Sequence, residues 1–435
     1  MKKFFTFVED TFNENVIIGL KTNKKKIIND PVFGFITLQS EFIYDLVEHP
    51  FLQRLRRIKQ LGLSNIVFPG VNHTRFEHAI GAVHLMGMAI SSLKMKDVDI
   101  SDDEAEAVTA AILLHDIGHG PFSHALEHSL VEGISHESLS LMLMEEMNRQ
   151  FGGRLDMAIQ IFKNEYPKKF LHQLVASQLD IDRLDYLRRD SFFSGVTEGT
   201  IGSDRIIKML NVRNDGLVVE HKGIYSIEKF LISRRLMYWQ VYLHKTVLSA
   251  EQMLVKVLRR AKELMMSGVE VFATPALKVF LQHKITSHCF DQAQFVDGKN
   301  LLDLFVELDD SDLILAMKQW RHHDDQILAY LAGAVINRKL FRIKIKSSAF
   351  STETILGLKE QIMRRWTITE DEVHYFLISD SISNYGYISG SDKINILMKD
   401  GSVKEINDAS DVNISSLLQT VRKYFVCYPK ELDVK

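Results

Sequence analysis

Cysteine is almost absent: 435 residues contain only Cys289 and Cys427, far apart and outside any Cys-x-x-Cys. That excludes a disulfide framework and a thiolate zinc site, and it fits a reducing cytosol. Proline is scarce too, and between about residues 76 and 270 only Pro121 and Pro167 break the chain. Long hydrophobic runs are missing. The most apolar stretches, such as residues 79–90, are too short to span a membrane and carry His84. No charge of one sign dominates; the net charge of −3 supplies no basic field that would argue for nucleic acid. The opening "MKKFFTFVEDTF" does not build a signal peptide, because Glu9 and Asp10 interrupt it at once. With 46% hydrophobic and 25% charged residues, the expectation is a soluble, cytoplasmic globular protein of two or three domain-sized units, or of one large core with an appendage.

What is present is helical periodicity. Residues 1–40 read as short strands and turns, with an Asn-Asp-Pro break and alternation through Phe33, Phe35 and Ile36. Phe42, Ile43, Leu46 and Val47 then share one helix face, with Ser40 as its cap and His49-Pro50 as its end. "FLQRLRRIKQLG" reads as a basic amphipathic helix closed by Gly62, and "NVRNDGLVVEH" as a small hairpin set into a helical core. After about residue 336 strand-like alternation returns, with helices expected near 353–365 and 412–424. The division is 1–40, an N-terminal interface or regulatory segment; 41–335, a helical core; and 336–435, an α+β region.

The chemistry concentrates in "LLHDIGHGPFSHALEH", residues 113–128, which holds four histidines and an aspartate. Imidazoles are expensive to bury without partners. Neighbouring helix residues point about 100° apart, so His115 and Asp116 grip one ion only from an edge and other elements must complete its shell. His78 lies on an otherwise apolar helix. Asp182 lies on a stripe with Leu171, Val175 and Gln178, where a carboxylate calls for a cation. Taken singly, each is more often a satisfied core residue; the four together point to metal. Two imidazoles and two carboxylates suit Mn, Fe, Ni or Zn better than calcium. Gly118 and Gly120 are read as allowing a sharp turn that aims His119 and His124 at the ion.

"VFPGVNHTRFEHAIG", "LLHDIGHGPFSHALE", "SHES" and "DIDRLDYLRRD", preceded by "NDP" and "FLQRLRRIKQLG" and followed by "YLHK" and "RKLFRIKI", resemble the HD-domain phosphohydrolases across about residues 27–345. The branch they are most similar to is the deoxynucleoside triphosphate (dNTP) triphosphohydrolases, one mammalian member of which joins a sterile-alpha-motif module to its HD domain. No such module is visible here. The resemblance implies a mostly α-helical HD phosphohydrolase core with a smaller C-terminal α+β region. It implies hydrolysis of dNTPs to deoxynucleoside and inorganic triphosphate. His78, His115, Asp116 and Asp182 would hold one divalent metal per subunit, with Mg accompanying the triphosphate. His119, His124 and His136 would line the phosphate path, with His124 or a paired imidazole protonating the leaving 5′ oxygen and Asp116 joining them in catalysis.

By the same resemblance, Arg75, Arg183 and Arg234 hold phosphate oxygens, Arg183 standing where lysine is common. Gln60, Leu61, Tyr186, Asp190 and Tyr242 surround the sugar, Tyr242 against the ribose 2′ carbon. Tyr238 and Leu243 depart from the histidine and glutamine near the base in the mammalian member, so base preference does not carry over. A regulatory site for a dNTP or GTP activator between subunits matches Lys26, Asn29, Glu48, Gln53, Arg56, Arg205, Lys222, His244, Lys245, Arg338 and Arg342. Glu48, Glu220 and Ser226 depart from its aspartate, arginine and asparagine. A homotetramer, or a dimer that pairs on nucleotide binding, is implied. The alternatives are an HD-type nucleotide phosphatase or phosphodiesterase, and a nucleotide-sensing or single-stranded nucleic-acid-binding protein.

Overall fold

The computed structural model describes residues 26–122, 131–291, 295–296, 298–384, 393–412 and 420–432. Strands β1 (Ile27–Asp30) and β2 (Gly34–Thr37) form an antiparallel hairpin. Asp30 is buried at its turn, where one carboxylate oxygen accepts from the N–H groups of Val32 and Phe33, both at 2.9 Å. Helix α1 (Glu41–Glu48) starts on the Ser40 cap, buries Phe42, Ile43, Leu46 and Val47, and stops at His49-Pro50, as its periodicity predicts.

The expected amphipathic helix through "FLQRLRRIKQLG" does not form. Pro50–Gln53 make one α-turn and Arg54–Arg57 one 3₁₀ turn, after which Ile58 is extended and Lys59 bridges Thr74. Arg54 explains the break: instead of facing solvent it turns inward, fully buried, and donates to the main-chain carbonyls of Leu308, Ile117 and His119.

Helix α2 (Arg75–Lys94) opens on a Thr74–Glu77 capping box and is buried on nearly every side, as a helix apolar around its circumference must be. It packs against α3 (Asp102–Leu114), itself capped by Ser101 and Glu104. Helices α4 (His136–Gln150), α5 (Lys169–Val175) and α6 (Ile181–Ser194) follow. Strands β3 (Leu210–Arg213) and β4 (Gly216–Glu220) form the expected hairpin, turning through Asn214 and Asp215, both at positive φ. Helix α7 (Ile224–Met237) runs into a π-helical turn, Tyr238–Tyr242, before α8 (Lys245–Met266).

Beyond these lie α9 (Asp310–Trp320), α10 (Gln326–Ile336), β5 (Arg342–Lys346), α11 (Thr352–Trp366) and β6 (Ile378–Asn384). Strands β7 (Asn395–Leu397), β8 (Val403–Glu405) and β9 (Val421–Tyr428) complete the described chain. The helix expected near 412–424 is corrected: residues 413–419 lie outside the described residues, and from Val421 the chain is strand. The β-formers Tyr424, Phe425, Val426 and Tyr428 put β9 at the centre of an antiparallel sheet ordered β6-β9-β5.

Two apolar clusters organise the molecule. One surrounds α2, α3 and α6, and holds the candidate site. The other joins α8, α9 and α10 to β9. The C-terminal segment serves both, because β7 pairs in parallel with β4 and carries Ile394 and Ile396 into the first cluster. Among the described residues no helix is long and apolar enough to cross a membrane.

Candidate active site

His78 projects from the first turns of α2, His115 caps the C-terminus of α3, Asp116 follows it, and Asp182 sits in the first turn of α6. The expected continuous stripe from Leu171 to Asp182 is broken: α5 ends at Val175, and Asp180 starts a new helix. Its carboxylate accepts from the N–H groups of Ser177 (2.8 Å) and Arg183 (2.7 Å), which turns the chain there. The four side chains nevertheless converge. His78 Nε2 and Asp182 Oδ1 are 3.1 Å apart, His115 Nε2 and Asp182 Oδ1 3.5 Å, and His115 Nε2 and Asp116 Oδ1 3.4 Å. Ligands about 2.1 Å from one ion stand about 3.0–3.4 Å from each other, so these separations fit a shared divalent cation.

Hydrogen bonding supports the same fit. His78 Nδ1 lies 2.7 Å from Asp185 Oδ2, and His115 Nδ1 2.6 Å from the Ile112 carbonyl, so both Nδ1 atoms carry the proton. Both Nε2 atoms then face the cluster, where a cation would displace their protons, and neither buried Nε2 has a hydrogen-bond partner. Burial opposes a proton on His78, but the flanking carboxylates of Asp182 and Asp185 outweigh it and raise the imidazole to about 10. Burial would also push Asp182 and Asp116 up; instead the His115 and His78 rings hold Asp182 far below its usual range, while His119, His115 and Arg75 hold Asp116 down. This pocket attracts positive charge.

Support extends outward from His78. Asp185 forms a two-point pair with Arg189 (2.9 and 3.0 Å), whose other nitrogen reaches Asp30 at 2.7 Å. Gly81, one turn after His78, makes room: a Cβ there would lie 2.0 Å from Asp185 Oδ1 and 2.1 Å from Arg189 Nη2. The sequence reading missed Asp30, Gly81, Asp185 and Arg189. The Asp182-Asp185-Arg189 spacing, three then four on one helix, was the available signal.

On the other side of Asp116, the rings of His119 and His136 stack at 3.9 Å, and His119 Nδ1 lies 3.4 Å from Asp116 Oδ1. His124 lies outside the described residues. The reading of Gly118 as a residue that lets the backbone turn sharply is corrected. Positive φ falls on Phe122, whereas a Cβ on Gly118 would lie 2.3 Å from both His136 O and Ser140 N, so this glycine permits close contact with α4. Ser140 completes that contact, its hydroxyl donating to His115 O (2.7 Å) and accepting from Gly118 N (2.9 Å).

Arg75 donates to Asp116 Oδ2 at 2.5 Å. Arg183 lies 3.1 Å from Asp180 and 3.7 Å from Asp182, and Arg234 donates to Gln178 at 3.0 Å. Arg183 Nε, Arg234 Nε and Gln60 Oε1 are buried without a partner. Asp190 accepts from Tyr242 Oη and from His73 Nε2, each at 2.8 Å, and Tyr186 packs edge-on to Tyr242. His73, also missed, is stacked on Phe193. Leu61, next to Gln60, precedes the 3₁₀ turn Gly62–Ile66.

The residues expected to bind a regulatory nucleotide fall into three contact groups. Lys26 pairs with Glu48 (2.7 Å) and Arg56 with Gln53 (2.8 Å), Arg56 covers Phe76, and Asn29 is exposed on β1. Arg205 donates to Lys222 O (3.1 Å). His244, beside Lys245, meets Phe68, and Arg338 donates to Ile66 O (3.0 Å), with Arg342 exposed nearby in sequence.

Comparison with known proteins agrees with this geometry. The HD domain model matches residues 75–190, and the HD associated region matches 201–274. A solved phosphohydrolase of Bacteroides thetaiotaomicron is 55% identical, with a TM-score of 0.88 over 93% of this chain and 99% of its own. An uncharacterized protein of Bacillus subtilis, YwfO, is 31% identical over 95% of this chain and 94% of its own. The chain therefore belongs to the HD-domain phosphohydrolases. Within reach lies a deoxynucleoside triphosphate triphosphohydrolase SAMHD1 homolog of Dictyostelium discoideum, 31% identical over 55% of this chain, which spans half of that protein's length.

Proposed function

We propose that this hydrolase cuts dNTPs to deoxynucleoside and inorganic triphosphate. The observation that carries the reading is a pair of buried guanidinium donors without partners, Arg183 Nε and Arg234 Nε. A triphosphate brings about four negative charges and many acceptor oxygens, which two guanidinium groups satisfy and a small neutral substrate does not. The similarity to the Dictyostelium dNTP triphosphohydrolase supports the same choice.

A divalent ion on His78, His115, Asp116 and Asp182 supplies Lewis acidity toward a phosphoryl oxygen and toward water. Arg75, Arg183 and Arg234 orient the phosphate chain. His119, against His136 and Asp116, is placed to hold a proton and pass it to the leaving 5′ oxygen, with His124 in the same part of the chain. Gln60, Leu61 and Tyr186 border the sugar, and Tyr242, fixed by Asp190, excludes a 2′-hydroxyl by contact with C2′. Mg accompanies the triphosphate. The three groups of regulatory residues come together when subunits assemble as a homotetramer around a dNTP or GTP activator.

The test is incubation with Mn²⁺ and each dNTP, singly and in pairs, with products separated by anion exchange. Deoxynucleoside plus triphosphate is expected. Orthophosphate instead would make the protein an HD-type phosphatase, and absence of turnover with metal bound would favour a nucleotide sensor.

A further inference from the structure

We infer that Arg54 and Asp310 are positioning residues that clamp the loop bearing His119 from outside the stretch matched by the HD model. The loop runs from His115 to Phe122, and side chains from three separate elements hold its backbone. Ser140 takes the His115 end. Arg54 donates from Nη1 to Ile117 O (3.3 Å) and from Nη2 to His119 O (2.8 Å), while its Nε holds Leu308 O at 2.9 Å. Asp310 closes the far end, one oxygen accepting from Phe122 N (2.8 Å) and the other from Lys59 N (3.0 Å).

Two features separate this arrangement from ordinary packing. Arg54 is 1% exposed, and the bonds it makes run to three carbonyls and the face of Phe305. An apolar side chain of similar volume fills such a space more cheaply than a buried charge does, so the guanidinium is there for geometry. Phe122 has φ +50°, a left-handed conformation costly for a bulky residue, and its N–H is the one Asp310 holds. Leu308, Asp309 and Asp310 form one hub. They take Arg54, Arg57 and Lys59 from one segment and Phe122 from the loop. Neither clamp side chain is a member of the His/Asp cluster. Moving the His119 carbonyl tilts its ring off His136 and away from Asp116 Oδ1, so the clamp acts through His119.

The kinetic part of the test rests on the dNTP reading; the exchange part does not. Full-length Arg54→Met, Arg54→Lys, Asp310→Ala and Asp310→Asn proteins are compared by hydrogen–deuterium exchange, Mn²⁺ content and steady-state dNTP hydrolysis. Arg54→Met and Asp310→Ala should speed exchange in the 115–122 peptide about tenfold or more, with α2 and α3 unchanged. Metal content should stay at that of the unmodified chain. The kcat should fall about tenfold or more with KM within about threefold, the pattern of a misplaced reacting group. Asp310→Asn should recover part of the loss, since its amide oxygen still accepts from Phe122 N while its NH2 no longer accepts from Lys59 N. Arg54→Lys should not, because one ammonium cannot span three carbonyls. Unchanged loop exchange in both Arg54→Met and Asp310→Ala would overturn the clamp, as would a kcat loss that vanishes once rates are normalised to metal-loaded protein. If Arg54→Met does not fold, the Asp310 pair decides. If the unmodified chain leaves dNTPs intact, the functional reading fails and loop exchange still judges the clamp.

Discussion

Replacing Gly81 by alanine sets two effects of opposite sign against each other. In a helix interior, alanine is normally better than glycine by about 1 kcal/mol. At position 81 the added methyl would lie 2.0 Å from Asp185 Oδ1 and 2.1 Å from Arg189 Nη2. Neither side chain can retreat. Both are 0% exposed, bonded to each other, and tied on opposite sides to His78 and Asp30. Overpacking a rigid core costs about 1–3 kcal/mol, and separating a buried ion pair costs about 3–5 kcal/mol. Separating the pair outweighs the helix gain of about 1 kcal/mol, so Gly81→Ala should destabilise the fold by about 2–4 kcal/mol. Unfolding entropy of about 2 cal/mol/K per residue over this length converts each kcal/mol into about 1 °C, hence a Tm lowered by about 2–4 °C. His78 loses its fixed Nδ1 partner at the same time, and metal affinity should drop about 10–100-fold. Calorimetry with and without Mn²⁺, and competition against a fluorescent chelator, measure both. A Tm equal to or above that of the unmodified chain, with unaltered affinity, would refute the argument.

Asp182→Ala removes the carboxylate between His78 and His115; bound metal per subunit and hydrolysis should both disappear while far-ultraviolet dichroism stays helical, and retained activity would defeat the ligand assignment. Tyr242→Ala should relax discrimination between deoxy- and ribonucleoside triphosphates, read as the ratio of their kcat/KM values; an unchanged ratio would remove Tyr242 from the sugar face. Asp325 caps α10 through Leu328 N (2.7 Å) and pairs with Arg260 (3.1 and 2.6 Å), so Asp325→Ala should cost about 1–3 kcal/mol at pH 7 in urea unfolding. Burial opposes ionisation of that carboxyl, but Arg260 and the helix N–H groups outweigh it and hold the folded pKa below 3.8. The stabilisation is therefore complete above the unfolded value and is lost as pH falls through the lower folded one. The variant's deficit should shrink below about pH 4, and a deficit constant with pH would contradict the assignment.

How much of this was legible depended on the range of the interaction. Ser40, the α1 face and the Asn214-Asp215 hairpin follow from neighbours within a few residues, and the structure has them where the pattern puts them. The four cluster residues were legible because each is a polar group on an apolar element. What held them was not. Nothing adjacent in the chain marks Asp185 and Arg189 as buried; α6 sets them against Gly81, and Asp30 joins from β1 through Arg189. The segment 50–62 has helical periodicity, yet Arg54 finds three carbonyls more than 60 residues away, and that tertiary bond overrides local preference. The strand at 421–428 failed for the same reason: its two neighbours, β5 and β6, come from earlier chain and decide its conformation.

The parallel pairing of β4 with β7 sets a timetable for synthesis. The hairpin is complete once Glu220 has emerged, but the strand that covers its outer edge is made roughly 170 residues later. At about 5–20 residues per second, that edge waits on the order of ten to thirty seconds on the ribosome. Throughout, Val218, Val219 and Glu220 present an unpaired β edge of the kind that recruits other nascent chains. A chain stopped before residue 393 would keep every residue of the His/Asp cluster and still carry that edge permanently.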